Sequence, residues 1–294
     1  MIKIKQYSRI AKKIMSHLAM GWVYPRSSVR CRVDDSYHAK FFSRWFIANK
    51  YVWNLPIRVE AVANLIKISD KEGDSIFLGR PERVRLYQHS VQRRLESVYE
   101  EYQLFKIKFE QDDIVIDIGA NIGEVSRFLQ EHHDVKVVAI EPEEKEFSAL
   151  KRNLAHSRTD FRNCVVWKND EEVDFFSANE TGDSGVFQSK IGITPEKKKA
   201  LTLPSLLKDC PFWESSSRIK LLKLEAEGAE PEILIGATSI LDRIEYIAAD
   251  CGAERGIEQE STLIPVMDIL HQHGFRPISF GLPRAVMLFE RNHF

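Results

Sequence analysis

The stretch "IVIDIGANIGEVSRFL", Ile114–Leu129, carries a run of β-branched apolar residues into a turn of two glycines and an asparagine, and then into a segment whose apolar residues recur at helical spacing. A strand, a tight turn and a helix in that order open a parallel sheet. From here to the C-terminus short apolar runs alternate with amphipathic stretches. We read strands at 114–118, 135–140, 163–167, 219–224, 244–250 and 286–290, and helices near 123–132, 143–155, 203–209, 230–240 and 262–273. The alternation predicts an α/β, Rossmann-like fold: a mostly parallel, doubly wound sheet with helices on both faces and right-handed crossovers. The last pair, "GFRPISF" and "RAVMLFER", is split by Gly281-Leu282-Pro283 and reads instead as a C-terminal antiparallel hairpin at the sheet edge.

In an open parallel sheet, ligands bind at the carboxyl ends of the strands, where the strand order reverses. The turn Gly119, Ala120, Asn121, Ile122, Gly123 therefore faces that crevice. A dinucleotide-binding turn demands G-x-G-x-x-G, but here Asn121 takes the place of the second glycine and Glu124 that of the third. The second glycine lets the backbone approach a pyrophosphate seated on the helix N-terminus. A carboxylate at Glu124 would repel that group, so a ligand without phosphates fits better.

S-adenosylmethionine is such a ligand, with adenine, ribose and a methionine tail that carries a sulfonium. Asp117, at the strand end, is placed to reach the tail's ammonium directly or through water. Gly119 and Gly123 let the backbone come near the tail, and amides of the turn are available to its carboxylate. Glu141, in "VVAIEP", follows Asp117 by 24 residues, near the roughly 20-residue offset at which an acid reaches ribose hydroxyls. The plainer alternative is that both acids cap the helices behind them. For Asn121, tolerance of a left-handed turn suffices.

The rest of the chain is less specific. With 294 residues, 44% hydrophobic and 29% charged, it has the composition of a globular protein, and a net charge of −1 offers no electrostatic case for nucleic acid. Its four cysteines, Cys31, Cys164, Cys210 and Cys251, lie far apart without C-x-x-C pairs, so neither a zinc site nor a disulfide framework is expected. Without a signal peptide or a membrane-spanning run, a cytoplasmic location is expected. Residues 1–33 are basic, with Tyr7, Ile10, Ala11, Ile14, Met15 and Leu18 at helical spacing. Such a helix suits peripheral contact with an anionic membrane or docking on a partner; packing on its own domain is the plainer alternative. An aromatic-rich run follows, then a hairpin at 64–78 around Asp70-Lys71-Glu72-Gly73, then a helix over 84–102. We divide the chain into this N-terminal region, 1–104, and a cofactor-binding domain, 105–294.

"VIDIGANIGEVS", "AIEPEE" and "IKLLKLEAEGAEPEILIGA" together resemble, in order and spacing, the FkbM family of S-adenosylmethionine-dependent methyltransferases, from about residue 105 onward. The resemblance implies a class I methyltransferase fold and methyl transfer to oxygen, typically a hydroxyl of a sugar, glycolipid or secondary metabolite. By it, Asp117, Gly119, Asn121, Gly123 and Glu141 match cofactor positions, with Ala120 in the same turn. Glu225, Glu227, Gly228 and Glu230 match the family's K-I-D-V-E-G-A-E segment, Glu225 standing where Asp is commoner.

A neutral hydroxyl is a poor nucleophile near neutral pH, so a general base or a metal must assist it. "KLEAEGAE" follows an apolar strand and lies over the crevice. If that strand persists to 227, Glu225 and Glu227 share a face, one to stabilise the sulfonium end and the other, Glu227, to take the hydroxyl proton. Asp250, ending "YIAAD", is expected to project into the same crevice and bind the acceptor. Three carboxylates would also suit Mg²⁺. Glu230 fits the positive end of the next helix. The polar insertion 179–200 reads as a lid or acceptor loop, with Ser184 near the cofactor. Two other functions compete: a nicotinamide-dependent oxidoreductase, and a cofactor-binding module without catalysis, recruited by its basic N-terminal helix.

Overall fold

The computed structural model describes residues 57–155, 157–177, 184–188, 194–214, 217–282 and 284–292. The basic helix read in the first 33 residues and most of the aromatic-rich run lie outside the described residues. The described chain begins with a three-stranded antiparallel sheet of β1 (Ile57–Val62), β2 (Leu65–Asp70) and β3 (Ser75–Leu78). Asp70 closes the β2–β3 hairpin: its Oδ1 accepts the amides of Glu72 and Asp74, both at 3.0 Å, while Gly73 supplies φ +96. Its Oδ2 accepts the Val91 amide at 2.9 Å, which anchors the start of α1 (Val91–Glu101). The single helix expected over 84–102 is broken, because Ser90 caps α1 by accepting the Arg93 amide at 3.1 Å, and Pro81–Tyr87 forms a separate 3-10 turn.

The opening stretch folds as read, into β4 (Ile114–Ile118) and α2 (Glu124–His133). After them come β5 (Lys136–Ile140), α3 (Glu144–Asn153) and β6 (Thr159–Arg162). A small three-stranded sheet of β7 (Val165–Val166), β8 (Glu171–Phe175) and β9 (Glu196–Leu201) leads to α4 (Leu203–Leu207), β10 (Ile219–Leu224) and α5 (Glu230–Gly236). The chain ends with β11 (Ile244–Asp250), the short pair β12 (Ala253–Arg255) and β13 (Glu260–Ser261), α6 (Leu263–Gln272), β14 (Phe275–Gly281) and β15 (Val286–Arg291).

The main sheet has seven strands in the order β14-β15-β11-β10-β4-β5-β6. The pairs β11/β10, β10/β4, β4/β5 and β5/β6 are parallel; β15 pairs antiparallel with β11 and β14, as the hairpin reading required. The order reverses between β4 and β10, and that gap is where a ligand belongs. Side chains alternate across the sheet. Ile116, Val138 and Leu222 join the core beneath α4, α5 and α6, whereas Val115, Val137 and Leu221 join the core shared with α1 and α2.

One expected strand moves. The run 163–167 is not a strand of the main sheet: β6 ends at Arg162, and β7 belongs to the smaller sheet. Asn163 diverts the chain there, its Nδ2 donating to the carbonyls of Glu141 at 2.9 Å and Pro142 at 3.3 Å. The N-terminal sheet packs on the helices of the larger domain, for Ile68, Leu78, Tyr87 and Leu95 share a core with Ile122 of the β4–α2 turn, Phe128 of α2 and Ala149 of α3. No helix among the described residues is long and apolar enough to cross a membrane.

Candidate functional site

Two glycines are indispensable in the β4–α2 turn, for different reasons. At Gly119, φ is +69 and a Cβ would lie 1.9 Å from the Glu225 carbonyl oxygen, so the turn passes directly beneath the end of β10. At Gly123, φ is +90 and a Cβ would meet Leu150 Cδ1 at 2.7 Å. Gly123 therefore serves the packing of α2 on α3, not approach to a cofactor tail. Asn121 has φ 52, the left-handed conformation its residue type tolerates. The amides of the turn differ from expectation too. Those of Gly119 and Ala120 donate to the Ile140 carbonyl at 3.0 and 2.9 Å, and that of Asn121 donates to Glu141 Oε2 at 2.8 Å.

Asp117 is fully buried. Its Oδ2 accepts the Ser126 hydroxyl at 2.6 Å, and its Oδ1 lies 3.0 Å from Lys223 Nζ. Lys223, only 2% exposed, also donates to the carbonyls of Gly119 at 2.7 Å and Ile118 at 3.3 Å, and pairs with Glu225 Oε2 at 3.1 Å. This ammonium occupies the place in which the sequence suggested the ligand's own ammonium. Burial opposes its charge, but Asp117 and Glu225 outweigh burial and raise its pKa. Sequence reasoning passed over Lys223, although a lysine inside the apolar run "IKLLKL" was a signal of a buried, paired charge.

A cavity lies over the reversal point, where the ligand crevice of an open parallel sheet belongs. Gly119, Asn121, Glu141, Ser184, Glu225 and Glu227, all named from the sequence, line it; Asp117, Ala120, Gly123 and Asp250 do not. Its apolar walls include Ile140, Pro142, Val165, Phe175 and Ile233. The oxygens of Glu141 accept the amides of Asn121 and Glu143, each at 2.8 Å, yet burial still pushes its carboxyl up to about 7. The Asn121 side-chain oxygen is buried on this wall without a hydrogen-bond partner. An orphaned acceptor beside a buried carboxylate fits a ligand rich in hydroxyl and ammonium donors, as S-adenosylmethionine is.

The acidic segment is arranged otherwise than a continued strand would place it. β10 stops at Leu224, and Glu227 has φ 51 ahead of Gly228 at φ +94, so Glu225 and Glu227 reach the cavity from a strand end and a left-handed turn. Arg284, from the β14–β15 hairpin, pairs with both Glu225 and Asp250, the latter at 2.5 Å. Burial would raise the Glu225 carboxyl, but Lys223 and Arg284 hold it well below the usual carboxylate range. The ring of Tyr102 lies 5.3 Å from Lys223 and 5.9 Å from Arg284. A guanidinium shared by Glu225 and Asp250 does not suit an Mg²⁺ cage, and among the described residues no cluster has metal-holding geometry. Glu230 is structural: its Oε1 accepts the amides of Ala226 at 2.8 Å and Gly228 at 3.3 Å, pinning the turn that carries Glu227. Glu254 was not foreseen as titratable near neutrality; burial, then the charges of Asp250 and Glu225, push it up to about 8.

Glu124 does not face the cavity at all. Its carboxylate accepts Tyr87 Oη at 2.5 Å and pairs with Arg94 Nε at 2.8 Å, joining α2 to the N-terminal region. The repulsion of a pyrophosphate expected from Glu124 therefore does not arise, and the departure from a dinucleotide-binding turn that still bears on a pyrophosphate is Asn121, in the place of the second glycine. From the polar insertion, Ser184, Gly185 and Val186 line the cavity, and Gly185 exchanges backbone hydrogen bonds with Phe176. Arg255 braces this wall: it stacks on Phe187 at 4.0 Å, donates to the Gly228 carbonyl at 2.8 Å and makes a forked pair with Glu232 at 2.7 and 2.8 Å.

Residues 117–277 match the methyltransferase FkbM domain. The 2-O-methyltransferase NoeI of Sinorhizobium fredii is 20% identical over 214 residues, covering 68% of this chain and 87% of that protein. Among solved structures, a TehB-like SAM-dependent methyltransferase from Corynebacterium glutamicum is 12% identical, covering 68% of this chain and 94% of its own, with a TM-score of 0.38. An rRNA methylase from Streptococcus thermophilus is 15% identical, covering 66% of this chain and 96% of its own, with a TM-score of 0.37.

Proposed function

Since the chain belongs to the FkbM methyltransferase family and is an S-adenosylmethionine-dependent methyltransferase, we propose that it methylates a hydroxyl oxygen of a sugar-containing or other hydroxylated small molecule. The observation that carries this reading is the pairing of two acids with different surroundings on one wall of the cavity. Glu225, kept ionised by Lys223 and Arg284, supplies a fixed negative charge. Glu227, held at φ 51 in a turn pinned by Glu230 and Arg255, receives the proton of the acceptor hydroxyl.

When bound, the cofactor supplies an electrophilic methyl on a sulfonium. Glu141 and Asn121 bind its ribose and tail donors, and the apolar walls exclude water. Asp117 acts through Lys223, which ties down the turn from below. Asp250 acts through Arg284, which holds Glu225 in place. Positioning of reactants in a near-attack geometry can lower a transfer barrier by up to about 7–11 kcal/mol. The name of the NoeI relative, a 2-O-methyltransferase, supports a hydroxyl oxygen as acceptor, and the basic composition of residues 1–33 supports an acceptor presented at an anionic membrane surface.

Glu254 does not line the cavity, and burial with the charges of Asp250 and Glu225 pushes its carboxyl up to about 8, so it largely holds its own proton near neutral pH. The test is transfer of labelled methyl from S-adenosylmethionine to a panel of mono- and oligosaccharides, glycolipids and hydroxylated metabolites, with RNA and protein alongside. An O-methyl product on a panel hydroxyl, slowed in Glu227→Gln and not in Glu254→Gln, is expected. Label recovered only in RNA or protein would overturn the acceptor class. A titration with NAD tests the oxidoreductase alternative, and no binding is expected.

A further inference from the structure

The family match begins at residue 117, yet two residues lining the cavity, Arg80 and Arg83, come from the N-terminal region. They belong to the link between β3 and α1, which is fixed against the cofactor-binding sheet by several independent contacts. A Cβ at Gly79 would lie 2.9 Å from Glu146 Oε1 and 3.2 Å from the Lys145 backbone, so this link runs directly against α3. Asn153, at the end of α3, accepts the Phe77 amide at 2.7 Å and donates to the carbonyls of Phe77 at 2.9 Å and Ile122 at 2.8 Å. Arg80, 5% exposed, spans Glu143 and Glu146, each at 2.9 Å. Glu143, directly after Glu141 and Pro142, is the N-cap of α3, and Glu146 lies in its first turn.

Arg83, half-buried in the same 3-10 turn, has a different status. Arg80, Arg94 and Arg127 each pair with acids, whereas Arg83 forms no ion pair among the described residues. Arg80 holds both nearby carboxylates directly, and Arg83 acts on Glu146 only through its field. A cation partly withdrawn from water on a cavity wall favours a ligand that covers it. With Glu141 on the ribose, as proposed above, the adenine lies beyond it along the same cavity, whose lining includes Pro142 and Cys164 as well as Arg80 and Arg83. A planar guanidinium stacks on aromatic faces and donates to ring nitrogens.

We propose that the Arg80–Arg83 turn forms the adenosine-facing wall of the cofactor pocket, Arg80 as the strut that fixes it to α3 and Arg83 as the residue that contacts adenine. This rests on the S-adenosylmethionine reading of the cavity. The N-terminal region is then part of the cofactor site and not only an acceptor or partner module.

Calorimetric titration of the full chain with S-adenosylhomocysteine and with adenosine tests it, using Arg83→Ala and the volume-conserving Arg83→Met. Both variants are expected to weaken both ligands by the same factor, roughly tenfold, while the ligand-free melting temperature stays that of the wild type. Binding of both ligands as tight as in the wild type would overturn the inference. So would equal weakening by Arg83→Ala alone, with Arg83→Met unaffected, because packing and not the guanidinium would then matter. Failure of the wild-type chain to bind S-adenosylhomocysteine would sink the reading of the cavity itself, a result distinguishable from either.

Discussion

At the scale of single residues, the charge at the strand ends is set by Lys223. Replacing it by methionine leaves Asp117 buried without a cation and strips Glu225 of one of two. Breaking a buried pair in this way costs about 3–5 kcal/mol, so urea unfolding of Lys223→Met is expected at a markedly lower midpoint; an unchanged midpoint would contradict the pairing. Glu141 gives a pH signature. Its folded carboxyl titrates at about 7, above the roughly 4.3 of a free glutamate, so the folded state holds the extra proton between those values. Its contribution to stability therefore declines as pH rises through that window. Ribose hydroxyls donate to the ionised form, so affinity for S-adenosylhomocysteine is expected to rise as pH passes through about 7, and Glu141→Gln should flatten the profile. A wild-type profile already flat would remove Glu141 from the ribose.

Among elements, the piece that completes the site is the segment from Ser184 to Gln188, held by the β-bridge to Phe176 and by the stacking of Phe187 on Arg255. In Arg255→Ala the forked pair with Glu232 and the stack are both lost, and hydrogen exchange at the Gly185 amide is expected to quicken at least about tenfold; unaltered protection would show that the bridge stands alone. These contacts also mark where the sequence was legible. Strands β4, β5, β10, β11 and β15 were readable because each is a run of buried apolar residues next to a turn signal. Strands β8 and β9 were not, because "EEVDF" and "EKKKAL" expose charged side chains on one face and bury only Val173, Phe175 and Ala200. The residues lining the cavity were foreseen where they follow a strand end, as Glu141, Glu225 and Glu227 do. Arg80 and Arg284 were missed because their partners are remote in sequence and spacing carries no trace of such pairs, Arg83 because no ion pair among the described residues marks it, and Lys223 despite the signal of a lysine inside an apolar run.

For the molecule as a whole, the division of the sequence at 104 and 105 has a physical counterpart to be tested. Residues 57–101 cover Ile122, Phe128 and Ala149 and neutralise Glu124 through Arg94. A chain beginning at residue 105 would expose that apolar surface and leave a buried carboxylate unpaired. We expect it to aggregate or to unfold without cooperativity in calorimetry, whereas a soluble, cooperatively folded product would make the N-terminal region an independent domain. The central claim concerns chemistry: the crevice at the reversal point holds a cofactor that Glu227 does not bind, and Glu227 deprotonates the acceptor. The most direct test is single-turnover methyl transfer by Glu227→Gln beside its affinity for S-adenosylhomocysteine. The account predicts wild-type affinity and transfer slowed by roughly 10²–10⁴-fold. Transfer at the wild-type rate with saturating acceptor would contradict it.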